Sequence, residues 1–382
     1  MSSSVDVAVI GRGLIGSAAG RHLAESGVST ALVGPGEPED RTTSPGPFSS
    51  HADEGRITRI AGRTMIWSDL AARSIARYRD LELRSGITFH TMTGLAVALP
   101  TVDDWIDAGL INGSNIRKVE ADWLREKTGI AVTNGHPIAF EGKPAGHINP
   151  RRLVAAQSKL AALAGATVID HAVTALDRTE GGFELTGGWG SLTARRILLA
   201  TGAFGRGLLE QQLVVERRAR SVVMGEMADP GGIPSLILAD PPDSRLEDIY
   251  WVPPVPYPDG RLCLKIGGTV VEDRTVDSED ELTDWFHTGG YDLEIDALQT
   301  SLRSLLPDVS FTSFTSSPCV ITATASDYPY LGYIDDGVAV AIGGNGAAAK
   351  SSDELGRLAA SLFSDDGWTD SLDAETFAPQ LR

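Results

Sequence analysis

Residues 5–16 read VDVAVIGRGLIG. Val5 to Ile10 form an apolar, β-branched run too short for a helix, which predicts a buried parallel strand. Gly11, Gly13 and Gly16 follow at G-x-G-x-x-G spacing, and SAAGRHLAESG then predicts a helix with Leu14, Ala18 and Leu23 on its packed side. Each glycine has a mechanical task. Gly11 makes the tight turn, Gly13 lets the backbone approach a pyrophosphate, and Gly16 lets helix and strand pack closely. Leu14 and Ile15 open the helix, whose N-terminus offers free N–H groups and positive dipole to phosphates. The motif alone is weak evidence. A preceding strand and a following helix supply the context it needs.

Outward from this stretch, 382 residues with 42% hydrophobic residues suffice for a sizeable core and predict two lobes. Thirty-three basic against 51 acidic residues give a net charge of −18, which argues against binding nucleic acid or an anionic membrane surface. Positive charge is scarce, so basic residues in a pocket carry more weight. The apolar runs are strand-sized, and the first strand follows Met1 too closely for a basic-then-apolar signal segment. Cys263 and Cys319 make no disulfide framework. The expectation is a cytoplasmic protein. Two isolated cysteines and scattered histidines supply no metal-ligand set.

The second strand is expected at 29–33, where a dinucleotide fold places an acid at the strand end for the ribose hydroxyls. Here Gly34 stands in that place, with Glu37 a loose substitute from the loop. A Pro/Ser/Thr/Gly loop covers 41–50, and helices are predicted near 68–84 and 120–127. Residues 87–99 alternate as a strand pair, while 103–129 otherwise reads as mixed and polar. Asn149-Pro150 opens a helix, with proline at an early position. Strands ATVID and VTALDR follow, the second beginning at Val173, then a glycine-marked hairpin and the strand RRILLATGA. That strand ends in Ala200-Thr201-Gly202, where backbone meets a cofactor. From Val214 longer strands with Pro-rich loops predict a separate antiparallel sheet. Helices are expected at 280–286 and 292–306. Residues 319–322 are read as returning to the first lobe. A buried strand at 338–342, a glycine turn at 343–346 and a closing helix at 352–362 complete the chain.

With these pieces in order the chain resembles the flavin amine oxidases of the D-amino-acid-oxidase superfamily. Within it the likeness is to the monomeric sarcosine oxidase, N-methyltryptophan oxidase and fructosyl amino acid oxidase group. GRGLIG, SSH with GRITR, INPRRL, LLATGA, LKIGG, the cysteine of SPCVIT, and GGNGAAAK carry the resemblance. It implies an α/β FAD-binding domain (Rossmann-like, glutathione-reductase type) plus an α+β substrate domain with a large antiparallel sheet. The FAD-binding domain is expected at 1–85, 146–213 and 318–382, and the substrate domain at 86–145 and 214–317.

The resemblance also assigns residues. Ser49, Ser50, His51 and Arg56 line the flavin, and Val173, Ala200, Thr201 and Gly202 lie along the cofactor. Arg59 binds substrate carboxylate, a task suited to a planar guanidinium. One more residue separates His51 from Arg56 than in the sarcosine oxidases. Lys265 stands beside the flavin and activates dioxygen, where a fixed cation stabilises developing negative charge. Thr269 occupies the place of a sarcosine-oxidase histidine, after Gly267-Gly268, which predicts a roomier and less basic pocket wall. Tyr250 is a further wall candidate. Cys319 matches the cysteine that carries flavin covalently. Gly344, Asn345 and Gly346 bring backbone N–H groups to the flavin, and Lys350 is a second carboxylate-binding cation. Without the resemblance the same residues read as a solvated basic loop at Arg56 and Arg59 and a lysine snorkelling from a strand at Lys265. Cys319 then reads as core and Lys350 as a surface lysine at a helix start.

The implied activity is an FAD-dependent oxidase of secondary amines on amino acids, giving an imine and hydrogen peroxide, in a monomer acting on a small molecule and O2. Fructosyl amino acids are the preferred substrate because of the roomier wall. Sarcosine, another N-methyl amino acid or a cyclic imino acid is the alternative. A flavin- or NAD-binding sensor without turnover is the reading from a different class, and it has no use for paired carboxylate-binding cations.

Overall fold

The computed structural model describes residues 3–208, 212–229 and 231–382; Met1 and the reading of the chain start lie outside them. The glycine-marked unit forms as predicted: β1 (Ser3–Ile10), α1 (Leu14–Glu25) and β2 (Thr30–Val33). Then come β3 (Arg56–Thr58), α2 (Met65–Ser85), β4 (His90–Thr91), β5 (Leu95–Ala98), α3 (Val102–Ile111), β6 (Arg117–Val119), α4 (Ala121–Thr128), β7 (Ile138–Glu141) and β8 (Gly146–Ile148). The chain continues through α5 (Pro150–Leu163), β9 (Thr167–Ile169), β10 (Ala175–Thr179), β11 (Gly182–Gly187) and β12 (Gly190–Leu199). Long strands follow: β13 (Val215–Glu226), β14 (Ser235–Ala239), β15 (Leu246–Pro256) and β16 (Leu262–Val270). Helices α6 (Glu279–Phe286) and α7 (Asp292–Leu305), strands β17 (Ser313–Thr324), β18 (Tyr330–Asp335) and β19 (Val338–Ile342), and α8 (Ser352–Ser361) end the sequence of elements.

The first sheet runs β10-β11-β12-β1-β2-β9, with β19 parallel to β12 and β18 antiparallel to β19. Val7, Val9 and Leu32 pack on one side against Leu23 of α1 and Leu355 and Leu358 of α8; Ala8, Ile10 and Val33 pack on the other with Leu199 and Tyr330. Burial on both faces is why β1 reads as a continuous apolar run. Asn149 caps α5, its side chain accepting from the Arg152 N–H at 3.0 Å, with Pro150 in the first turn as expected. Among the described residues no helix is long and apolar enough to cross a membrane.

The second sheet runs β17-β13-β16-β15-β14-β5-β7-β6 and is antiparallel except where β14 lies parallel to β5. Its apolar face, with Val223, Trp251, Leu264 and Ile266, packs on Leu298 and Leu302 of α7. Side chains alternate along a strand and share a face with their cross-strand neighbours. The register therefore places Cys319, Arg220, Lys265, Gly267, Thr269, Asp248, Tyr250 and Val252 on the opposite face.

Three expectations change. Residues 318–324 do not return to the first sheet: β17 pairs with β13 from Ser313 to Thr324, so Cys319 sits on the second sheet, and the return comes only at β18. The strands within 87–99 do not pair with each other; β4 joins β3 and β8 in a three-stranded sheet, and β5 joins the second sheet. The stretch after Asp103 begins with a helix, α3, which buries Val102 and Trp105.

Candidate active site

The glycine cradle is closed on one side and open on the other. A Cβ on Gly11, whose φ is +108°, would lie 2.3 Å from the Ala200 carbonyl oxygen, and one on Gly16 would lie 1.9 Å from that of Gly11. The Ala200 N–H donates to Ile10 O at 2.8 Å, so the Ala200-Thr201-Gly202 turn is pressed against the first glycine. Among the described residues nothing lies within 4 Å of the Gly13 Cβ position, and no side chain caps α1. That open place, beside the uncapped N–H groups of Leu14, Ile15 and Gly16, fits a pyrophosphate. Gly16→Ala is expected to destabilise the protein by about 1–3 kcal/mol, because backbone must move to admit the methyl group. A lowered Tm in calorimetry checks this.

The rest of the predicted cofactor wall is distributed as follows. His51 is buried, burial pulls its imidazole down to about 4, and its Nδ1 has no partner among the described residues. A neutral buried ring with an unpaired nitrogen fits a site completed by a bound polar molecule. Ser49 is half-buried and Ser50 exposed, its carbonyl accepting from Arg56 Nη2 at 2.6 Å. Val173 packs with the apolar cluster beneath the first sheet. In the 343–346 turn, the Asn345 N–H donates to Thr322 O at 2.9 Å and the Gly344 N–H to Thr322 Oγ1 at 3.2 Å. The Asn345 side chain is turned inward, its Oδ1 accepting from the Thr324 N–H at 2.8 Å. The turn is thus pinned to β17.

The end of β2, where the expected acid is missing, is crowded by Arg12. A Cβ on Gly34 would lie 2.6 Å from the Arg12 backbone nitrogen, and Arg12 spans the strand end, donating to Gly34 O at 3.1 Å and to Asp170 at 2.5 Å. Both oxygens of Glu37 accept from Arg151, at 2.6 and 2.7 Å.

Lys265 is 1% exposed and does not snorkel. Its ammonium is ion-paired with Asp53 and donates to Gly55 O at 2.5 Å. Burial pulls it down to about 8, against the opposing pull of Asp53. Asp53 also pairs with Arg56 and accepts from the Tyr257 hydroxyl at 3.1 Å. Neither Asp53 nor Tyr257 is singled out by sequence reasoning. Cys319, a half-buried free thiol, and Tyr250 lie within electrostatic reach of Arg56. Thr269 shares the face of Lys265 but stands four residues on, about 13 Å along the strand, where its N–H donates to Asp248 at 3.1 Å. Gly267 leaves no empty room: a Cβ there would lie 2.8 Å from the Tyr250 hydroxyl oxygen, and one on Gly268 2.4 Å from the Asp248 carbonyl oxygen.

Arg59 and Lys350 meet in a second cluster. Lys350 is 2% exposed, lies 5.2 Å over the Trp67 ring and donates to Ala347 O at 2.8 Å. Burial lowers its ammonium strongly, and the nearby Arg59 lowers it further. Arg59 stacks on Trp105 at 4.4 Å and donates to Ala61 O at 2.6 Å, while its Nε has no partner among the described residues. Burial brings this guanidinium down to about 10. Glu141, fully buried and also unforeseen, accepts from the Ile60 and Ala61 N–H groups at 2.9 and 3.1 Å. Among the described residues neither cation has a carboxylate within 4 Å.

A model of the family described as FAD dependent oxidoreductase (DAO) matches residues 6–362. Monomeric sarcosine oxidase of Bacillus sp. (strain NS-129) is 29% identical over 219 residues, 55% of this chain and 55% of that protein, so the match spans about half the length of that relative. Monomeric sarcosine oxidase of Streptomyces avermitilis is 24% identical over 379 residues, covering 95% and 94% of the two chains. Among solved structures, the open form of NikD, an unusual amino acid oxidase essential for nikkomycin biosynthesis, is similar with a TM-score of 0.76 at 20% identity. That match covers 100% of this chain and 98% of that one. The cradle, the order of the motifs and the extent of the family match agree, and the chain belongs to the DAO family of FAD dependent oxidoreductases.

Proposed function

We propose that this protein oxidises the C–N bond of an amino acid bearing a secondary amine, passing the electrons to dioxygen and releasing an imine and hydrogen peroxide. The observation that carries the reading is the pair of buried cations, Arg59 and Lys350, that lack an ion-pair partner among the described residues. An unpaired buried charge is costly, and a substrate carboxylate would balance the cluster: two cations against Glu141 and one incoming anion. A sensor has no use for this arrangement. FAD, when bound in the cradle, supplies the two-electron sink. The chain's own residues orient the carboxylate, exclude water with Trp67 and Trp105, and hold a cation at Lys265 for dioxygen. No protein base is assigned, because a neutral amine needs none to lose a hydride.

For the substrate we favour a small N-methyl or cyclic amino acid. A fructosyl amino acid is the alternative; on the Lys265 face a Cβ on Gly267 would already lie 2.8 Å from the Tyr250 hydroxyl oxygen. Peroxide release from a panel of N-substituted amino acids, each beside its analogue lacking the carboxylate, tests the reading. Turnover that ignores the carboxylate would refute it.

We also propose that FAD is bonded through Cys319. Its free thiol lies on the polar face of the second sheet, within electrostatic reach of Arg56 and Lys265. Acid-precipitated protein is expected to stay yellow and to exceed the chain mass by one FAD, with Cys319→Ala releasing the colour. A colourless wild-type pellet from yellow protein would falsify the bond and leave FAD binding untouched.

A further inference from the structure

We infer that Asp53 is the positioning residue of the Lys265 centre: its carboxylate, reaching in from the loop before β3, fixes the Lys265 ammonium and the Arg56 guanidinium side by side. The geometry is specific. One oxygen pairs with both cations; the other accepts from the Tyr257 hydroxyl at 3.1 Å and the Glu54 N–H at 2.7 Å. Four donors from three separated stretches, the 53–56 loop, the end of β15 and β16, thus converge on one side chain. The loop itself is pressed onto the sheet, since a Cβ on Gly55 would lie 2.4 Å from Val252 Cγ1, next to Lys265 in register.

Without Asp53, Lys265 and Arg56 are two buried like charges with no counter-ion between them. The other titratable groups around Lys265 are His147 from β8, Cys319 from β17 and Tyr257 beyond β15, and none of them is a carboxylate. Like-charge repulsion in a desolvated place favours the neutral amine. Lys265 would then lose its proton at lower pH and its fixed place beside Gly55 O.

The functional consequence rests on the reading that Lys265 acts on dioxygen; the anchoring itself does not. The chain has six lysines, so selective 13Cε-lysine labelling of the holoenzyme gives few signals, and the one lost in Lys265→Met identifies residue 265. In wild type that signal is expected to titrate near pH 8. In Asp53→Asn its midpoint is expected to fall by at least about one pH unit, and at pH 8 reoxidation to slow about fivefold or more, the drop in charged fraction that such a shift gives. Asp53→Glu is expected to restore most of both, which a merely structural role would not require. An unmoved Lys265 midpoint in Asp53→Asn overturns the inference, as does an Asp53→Glu variant that folds but titrates like Asp53→Asn. Unchanged reoxidation in Lys265→Met would instead overturn the role given to Lys265.

Discussion

Replacing Lys265 by methionine is expected to slow the reaction of reduced enzyme with dioxygen by about 10²–10³-fold while leaving anaerobic reduction by substrate nearly unchanged. The first electron taken by dioxygen creates negative charge, and a preorganised cation in a water-poor place stabilises it more than solvent does. Lys265 meets both conditions, being 1% exposed and held by Asp53 and the Gly55 carbonyl. Methionine matches its length and keeps the packing. The sign of the pH dependence follows. Burial brings the ammonium down to about 8, so its charge is present below that pH and lost as pH rises through it. Wild-type reoxidation should therefore decline above about pH 8, and the methionine variant should be slow and flat across the same range. Stopped-flow mixing of reduced enzyme with oxygenated buffer measures both. A wild-type rate in the variant would remove Lys265 from oxygen chemistry.

The parts of this site that were legible in the sequence are those with local signals. G-x-G-x-x-G between strand and helix, Asn149-Pro150 at a helix start, and a lysine alternating out of an apolar strand each carry their meaning within a few residues. Helix α3 was equally local: Val102, Trp105, Ile106 and Leu110 follow helical spacing, with Asp103 and Asp104 in the first turn. The polar appearance of the stretch hid it. Other features exist only through non-local pairing. Cys319 belongs to the second sheet because β17 meets β13, a partner about a hundred residues earlier. Gly267 makes room for Tyr250 because β15 and β16 are in register there, so a glycine that reads as pocket space is a seat for a ring. Asp53 and Glu141 are single acids among 51 acidic residues. Nothing in the neighbouring sequence says that one will meet Lys265 and the other tie down the backbone beside Arg59.

That second acid shapes the other large effect. Arg59→Ala and Lys350→Ala are each expected to raise KM for carboxylate substrates about ten- to a hundredfold. A hydrogen bond to a charged group is worth about 1.5–3 kcal/mol, and each variant removes one cation from the same anion. The cations are prepared differently. Arg59 is braced by the Trp105 ring at 4.4 Å and by Ala61 O, with its Nε unpaired among the described residues. Glu141 fixes that brace by binding the Ile60 and Ala61 N–H groups. Lys350 is held over Trp67 with one carbonyl acceptor, and burial disfavours its charge. A bound carboxylate would raise the Lys350 pKa, so binding is coupled to proton uptake wherever the free enzyme carries Lys350 neutral. KM for wild type should then rise with pH through the alkaline limb, and Lys350→Ala should flatten that rise. Arg59→Ala removes a guanidinium that stays charged near neutral pH, so it should raise KM without abolishing the limb. Amine analogues without the carboxylate serve as the control. If they lose as much in the two variants as the amino acids do, the cluster supports the fold and does not hold the substrate.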